Sequence, residues 1–138
     1  MRIAALDVGE KRVGIAISDA FGWTAQGLET YQRTEESKDC GYIAELLMDK
    51  GAERVVVGLP RNMDGSLGPQ ADYVMAFVKA LSAYTDVPVV FWDERLSTAA
   101  ARRTLLEADV SREKRRKVID KMAAVHILQG YLDRKNNE

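Results

Sequence analysis

The stretch Arg2-Ile-Ala-Ala-Leu-Asp7-Val-Gly9-Glu-Lys-Arg12-Val-Gly-Ile-Ala-Ile-Ser18 decides the fold. Its first half is a short apolar run ending in Asp-Val-Gly, the pattern of a buried strand entering a turn. Its second half alternates Val13, Ile15 and Ile17 with small residues, which predicts another strand. Gly9 suits a tight connection, so the two should pair as an antiparallel hairpin. Outward from this hairpin, Gly27–Arg33 reads as a third strand. Thr34-Glu35-Glu36 opens a helix that carries Ile43, Leu46 and Leu47 and stops at Lys50-Gly51. Arg54–Gly58 contains Val55-Val56-Val57, too apolar and β-branched for an edge, so a central parallel strand is expected. Leu59–Pro69 is loop. Gln70–Tyr84 is an amphipathic helix with Val74, Phe77, Val78 and Leu81 on one side. Val87–Trp92 reads as a further buried strand. Ser97 caps a helix to about Glu107, Ser111 opens a basic turn, and a final helix runs from about Asp120 to Arg134 before Asn136-Asn137-Glu138 frays. A meander followed by βα units gives an α/β fold: one domain over residues 1–138, a five-stranded mixed sheet of order 3-2-1-4-5, and helices on both faces.

Composition narrows the function classes. With 46% hydrophobic and 30% charged residues, the chain has the balance of an ordinary globule able to bury a core. Its one cysteine, Cys40, excludes an internal disulfide and a cysteine-rich zinc cluster. No apolar run approaches the roughly 20 residues of a membrane span. The opening Met1–Asp7 turns acidic too soon for a signal peptide, so a cytoplasmic protein with no membrane partner is expected. The net charge of −1 argues against bulk attraction to nucleic acid. Between Ala99 and Lys121, however, eight Lys and Arg face four acids, so polyanion contacts should concentrate there.

Three acids stand where acids are not expected. Asp7 ends the first strand, Glu94 follows the fifth, and Asp120 opens the last helix. Ala123, Ala124, Ile127, Leu128 and Tyr131 follow Asp120 at the spacing of one buried helical stripe, so Asp120 sits at the mouth of that stripe. Strand order 3-2-1-4-5 would gather the three carboxylates. Such clusters repel unless they share protons or hold cations, and hard oxygens suit one or two Mg²⁺ or Mn²⁺ ions. Metal-activated water attacking a phosphodiester is then the economical chemistry. Simpler readings stand beside it: Asp7 as a turn residue, Asp120 as a helix cap, Glu94 paired with Arg95, Asp93 as a structural neighbour, His126 off the stripe and structural, Cys40 half-buried in its helix. The glycine turn with Lys11 and Arg12 could meet a phosphate, although it lacks the Gly-Lys-Ser/Thr of a Walker loop. Arg61 and Asn62, in the loop after a central strand, are candidate substrate contacts. The Arg112–Lys117 run reads either as a solvated face or as a phosphate contact.

Four motifs carry a resemblance: Leu6-Asp7-Val-Gly9-x-x-Arg12-x-Gly14-x-Ala16-x-Ser18-Asp19, Gly58-Leu-Pro-x-Asn62-x-Asp64-Gly65, Asp93-Glu94-Arg95-Leu-Ser97-Thr98 and Asp120-x-x-Ala-Ala-x-x-Ile-Leu. In order and spacing they resemble the bacterial YqgF/RuvX family, described both as candidate pre-16S ribosomal RNA nucleases and as candidate Holliday junction resolvases. The family is similar in fold to ribonuclease H. The resemblance implies Asp7, Glu94 and Asp120 as catalytic, metal-holding acids. From position and charge, substrate contacts are expected from Arg12, Arg61, Asn62, Arg95, Arg112, Lys114, Arg115 and Arg116. The expected partner is nucleic acid, pre-rRNA ahead of branched DNA, met by a monomer or weak homodimer. The fourth carboxylate of many ribonuclease H relatives has no counterpart that the sequence identifies. The alternatives are a four-way junction resolvase, a non-catalytic RNA-binding adaptor, and an ATP-binding module suggested by Asp-x-Gly-x-x-x-x-Gly.

Overall fold

Five strands form one mixed sheet of order β3-β2-β1-β4-β5 in the computed structural model, as the sequence predicts. The model describes residues 1–61, 64–93 and 112–137, the side chains of 112–120 excepted. β1 (Arg2–Val8) and β2 (Arg12–Ser18) form the hairpin, with Asp7 opposite Gly14 and Val8 opposite Val13. Its turn closes where Gly9 N–H donates to the Arg12 carbonyl at 2.9 Å. A Cβ at position 9 would stand 2.9 Å from that same oxygen, so only glycine fits. β3 (Ala25–Gln32) extends the meander antiparallel to β2. After α1 (Glu36–Asp49), β4 (Ala52–Leu59) pairs parallel with β1, and after α2 (Pro69–Leu81), β5 (Val89–Asp93) pairs parallel with β4.

Side-chain alternation divides the core. Ala4, Leu6 and Val8 of β1 join Val55, Val57 and the inner stripes of α1 and α2 in one cluster. Ile3 and Ala5 join Ala16, Val56, Trp92 and α3 (Arg112–Asn136), through Ala124, Ile127, Leu128 and Leu132, in the other. The small residues Ala5 and Ala16 let a long helix lie close to the sheet. Gly27 does the same further along, for a Cβ there would meet the Lys121 stem at 2.6 Å.

Four expectations need correction. Val87–Trp92 is not buried throughout: β5 is an edge strand, Trp92 is its one buried residue, and Phe91 is 40% exposed. Cys40 is fully buried rather than half-buried. The last helix starts at Arg112, not near Asp120, so the Arg112–Lys117 run is helical rather than a turn and Asp120 is no helix cap. Arg, Lys and Glu are strong helix formers without an apolar face. Apolar periodicity marks only the part of a helix that meets the sheet, and here that part begins late. Asn136, expected to fray, lies within the helix and donates through Nδ2 to the Gly22 carbonyl at 3.1 Å. The helix expected from Ser97 to Glu107 lies outside the described residues.

Because α3 alone covers its face among the described elements, Ile127→Ala should cost about 3 kcal/mol. Urea denaturation would show it, and a loss below about 1 kcal/mol would mean that α3 does not seal this core.

Candidate functional site

Asp7 continues the series Ile3, Ala5 on β1, so alternation sets it on the face covered by α3, half-buried at the carboxyl end of a central strand. On β4 the residue continuing Val56 on that face is Gly58, which carries no side chain. Asp120 stands on α3 one turn before Ala123 and Ala124, both buried. One strand end and one helix thus converge on the same side of the sheet. Glu94, Asn62 and Arg95 lie outside the described residues, as do the side chains of Asp120, Arg112, Lys114, Arg115 and Arg116. Among the described residues no three His, Cys, Asp or Glu gather into a metal-holding group.

The turn beside Asp7 forms a shallow cavity of about 250 Å³ lined by Gly9, Glu10, Lys11 and Arg12, with Arg12 half-buried. Arg61 opens the loop after β4. It donates to the Gly65 carbonyl at 3.0 Å, and its Nε lies 3.7 Å from Asp93 Oδ2. Asp93 is therefore tied to the loop, in keeping with a structural role. Asp64 Oδ1 accepts from the backbone N–H and hydroxyl of Ser66, closing the turn in which Gly65 takes φ +87°. His126 lies off the buried stripe and is half-buried. Burial pushes the Cys40 thiol above its ordinary pKa, which removes it as a nucleophile. A wide depression of about 980 Å³ lies between α1 and the segment leading into β5. It is rimmed by Glu45, Glu53 and Asp86 and contains no candidate residue.

One polar network near the site escapes sequence reading. Arg33, just after β3, donates from Nε to Asp39 Oδ2 at 3.0 Å and from Nη1 to the Gly9 carbonyl at 3.1 Å and to the Tyr73 hydroxyl. Its guanidinium lies 4.8 Å from the Phe77 ring centre. Asp39 is fully buried in α1 and also accepts from Tyr31 Oη and Thr34 N–H, each at 2.9 Å. Burial opposes the Asp39 charge, yet the Thr34 N–H, Arg33 and Tyr31 outweigh it and hold the carboxyl below its ordinary range. Arg33 thereby clamps the Gly9 turn, two residues from Asp7, to α1 and α2. Asp39 falls on the stripe of Ile43 and Leu47, the same signal that singles out Asp120; Arg33 carries no such signal.

The family model described as RuvX, Holliday junction resolvase, matches residues 1–134. A protein of Listeria monocytogenes serovar 1/2a named "Putative pre-16S rRNA nuclease" is 57% identical over 138 residues, covering 99% of this chain and 100% of its own. One of the same name from Moorella thermoacetica is 59% identical over 134 residues, covering 97% and 96%. Among solved structures, T. thermophilus RuvC in complex with Holliday junction substrate superposes with TM-score 0.61 at 15% identity, over 99% of this chain and 96% of that one. The fowlpox virus Holliday junction resolvase superposes with TM-score 0.57 at 16% identity, over 98% and 99%. At such identities these structures establish the shared fold.

Asp39→Asn should lower stability at neutral pH by about 3 kcal/mol, because it leaves Arg33 buried without its partner charge. A depressed carboxyl stabilises above its unfolded pKa of about 3.9 and loses that contribution as pH falls through the folded value. The wild type should therefore weaken on acidification below about pH 4 more steeply than the variant. Denaturant midpoints across that range test this, and parallel curves would refute it.

Proposed function

The chain belongs to the RuvX family of Holliday junction resolvases, and from that premise we propose that it is a divalent-metal-dependent nuclease acting on structured RNA, trimming the 5′ end of pre-16S rRNA. The observation that carries the nuclease reading is Asp7, half-buried at the end of a central strand on the face that α3 covers. The choice of RNA over DNA rests on the relatives' names.

Asp7, Glu94 and Asp120 are the catalytic acids in this reading and would hold one or two Mg²⁺ or Mn²⁺ ions. A half-buried carboxylate at a strand end is a hard oxygen donor, which fits such an ion. Bound there, the metal supplies a water of lowered pKa and offsets charge on the leaving oxygen. Asp7 is held in place by the hairpin register and by the Arg33 contact to the Gly9 carbonyl. Arg12, Arg61, Asn62 and Arg95, with Arg112, Lys114, Arg115 and Arg116 on the first turns of α3, hold substrate phosphates, so salt should weaken binding. No helix among the described residues is long and apolar enough to cross a membrane. The enzyme would act in the cytoplasm as a monomer or weak homodimer.

Resolution of four-way DNA junctions is the second reading, favoured by the fold shared with RuvC. Incubating wild type and Asp7→Asn with end-labelled pre-16S leader RNA and with a four-way junction, in Mg²⁺, Mn²⁺ or EDTA, separates the two. Metal-dependent cleavage lost in Asp7→Asn is expected, with the RNA cut faster. Faster junction cleavage would transfer the assignment to DNA. RNA binding with no cleavage by the folded, metal-loaded wild type would make the protein an adaptor.

A further inference from the structure

The edge strand β5 and the last turns of α3 enclose a groove of about 430 Å³ that the proposed chemistry does not use. Arg54, Arg134 and Lys135 line it, and among the described residues none of its lining is acidic. In a chain of net charge −1, three cations around one groove form a local field of the sign a polyanion needs. Asp133, next to Arg134 in the chain, accepts from Gln129 Nε2 at 2.9 Å. The remaining walls are largely aromatic. The Arg134 guanidinium lies 6.0 Å from the Trp92 ring centre, and Trp92 meets Tyr131 edge to face at 6.2 Å. Arg54 Nη1 donates to Tyr131 Oη at 2.6 Å, which fixes that guanidinium at the wall. Phe91 keeps 40% of its surface exposed at the sheet edge.

A bare inorganic anion would engage the cations and leave the aromatic surface idle. A single-stranded polynucleotide uses both, its phosphates on Arg and Lys and its bases against the exposed Phe91 ring and the half-buried Tyr131 ring. The groove also lies within reach of the candidate site. Trp92 pairs in register with Gly58 and shares the face of Asp7. Only two inter-strand spacings, about 10 Å, separate β5 from β1.

We infer that this groove is a second nucleic-acid contact, holding an unpaired segment that flanks the phosphodiester at Asp7. The inference builds on the nuclease reading, but its test is binding, which is read independently of cleavage. The chain has two tryptophans, so Trp23→Phe, at a 65% exposed position, leaves Trp92 as the sole indole reporter. Short single-stranded RNA, titrated in EDTA across a range of salt, should change Trp92 emission. Arg134 and Lys135 are exposed, and each is replaced by glutamine in turn, as Arg134→Gln and Lys135→Gln. Each should weaken RNA binding several-fold and lower the salt slope by about 1. Lys79→Gln, an equal charge change on exposed α2, should do neither. Where cleavage is measurable, the two groove variants should raise KM and spare kcat. Unchanged RNA affinity in both groove variants would overturn the inference, as would equal weakening by Lys79→Gln. A Trp92 response to inorganic phosphate equal to that with RNA would overturn it too, reducing the groove to an anion site. If the groove variants lose RNA affinity while no substrate is ever cut, the nuclease reading fails and the groove stands; normal cleavage with unaltered affinity and KM reverses that result.

Discussion

The period-two alternation of β1 is the constraint on which the rest of the molecule depends. Ala4, Leu6 and Val8 feed the core under α1 and α2, while Ile3 and Ala5 feed the core under α3. A slip of one residue would exchange these sets and carry Asp7 to the opposite face. Pairing on both edges forbids the slip: β2 fixes Asp7 against Gly14, and β4 fixes Leu6 against Val57. The position of the candidate carboxylate is thus set by hydrophobic burial and backbone pairing, before any polar partner is considered.

Where residues speak through periodicity, the sequence was legible. The hairpin, the central Val55–Val57 strand and the strand order all follow from alternation and apolar runs, and the model bears them out. The errors share one origin. Arg112–Lys117 is polar all round, so no stripe announces a helix there, and only propensity could have moved the start back from Asp120. The apolar Val87–Trp92 run reads as buried throughout, although the edge place that order 3-2-1-4-5 gives it leaves Phe91 open. Asp7 and Asp120 could be singled out as candidates because an acid ending a buried strand, or standing in line with a buried helical stripe, is an anomaly. Arg33 could not, because an arginine after a strand is ordinary until its partners, 6, 24 and 40 residues away along the chain, are known.

Polar groups near the site divide into those consumed by structure and those left for a ligand. Arg33 and Asp39 spend their donors and acceptors on the Gly9 turn, α1 and α2. Charge is distributed unevenly as well. Acids rim the depression beside α1, whereas cations border the Gly9 turn and the β5–α3 groove. A near-neutral protein can therefore present one face to a phosphate backbone without being basic as a whole.

The parallel pairing of β1 with β4 has a kinetic consequence. The hairpin of β1 and β2 closes over a turn of three residues, but the β1–β4 ladder forms only after the whole of β2, β3 and α1 has been traversed. Non-local ladders are slow to close because loop entropy must be overcome before any bond rewards it. Asp7 rides on the strand shared by the fast and the slow pairing. A meander formed early on the pathway would carry this carboxylate without β4 beside it, so under the proposed function hydrolytic competence would appear only once β4 has paired. A half-folded chain would then be harmless to the nucleic acid around it.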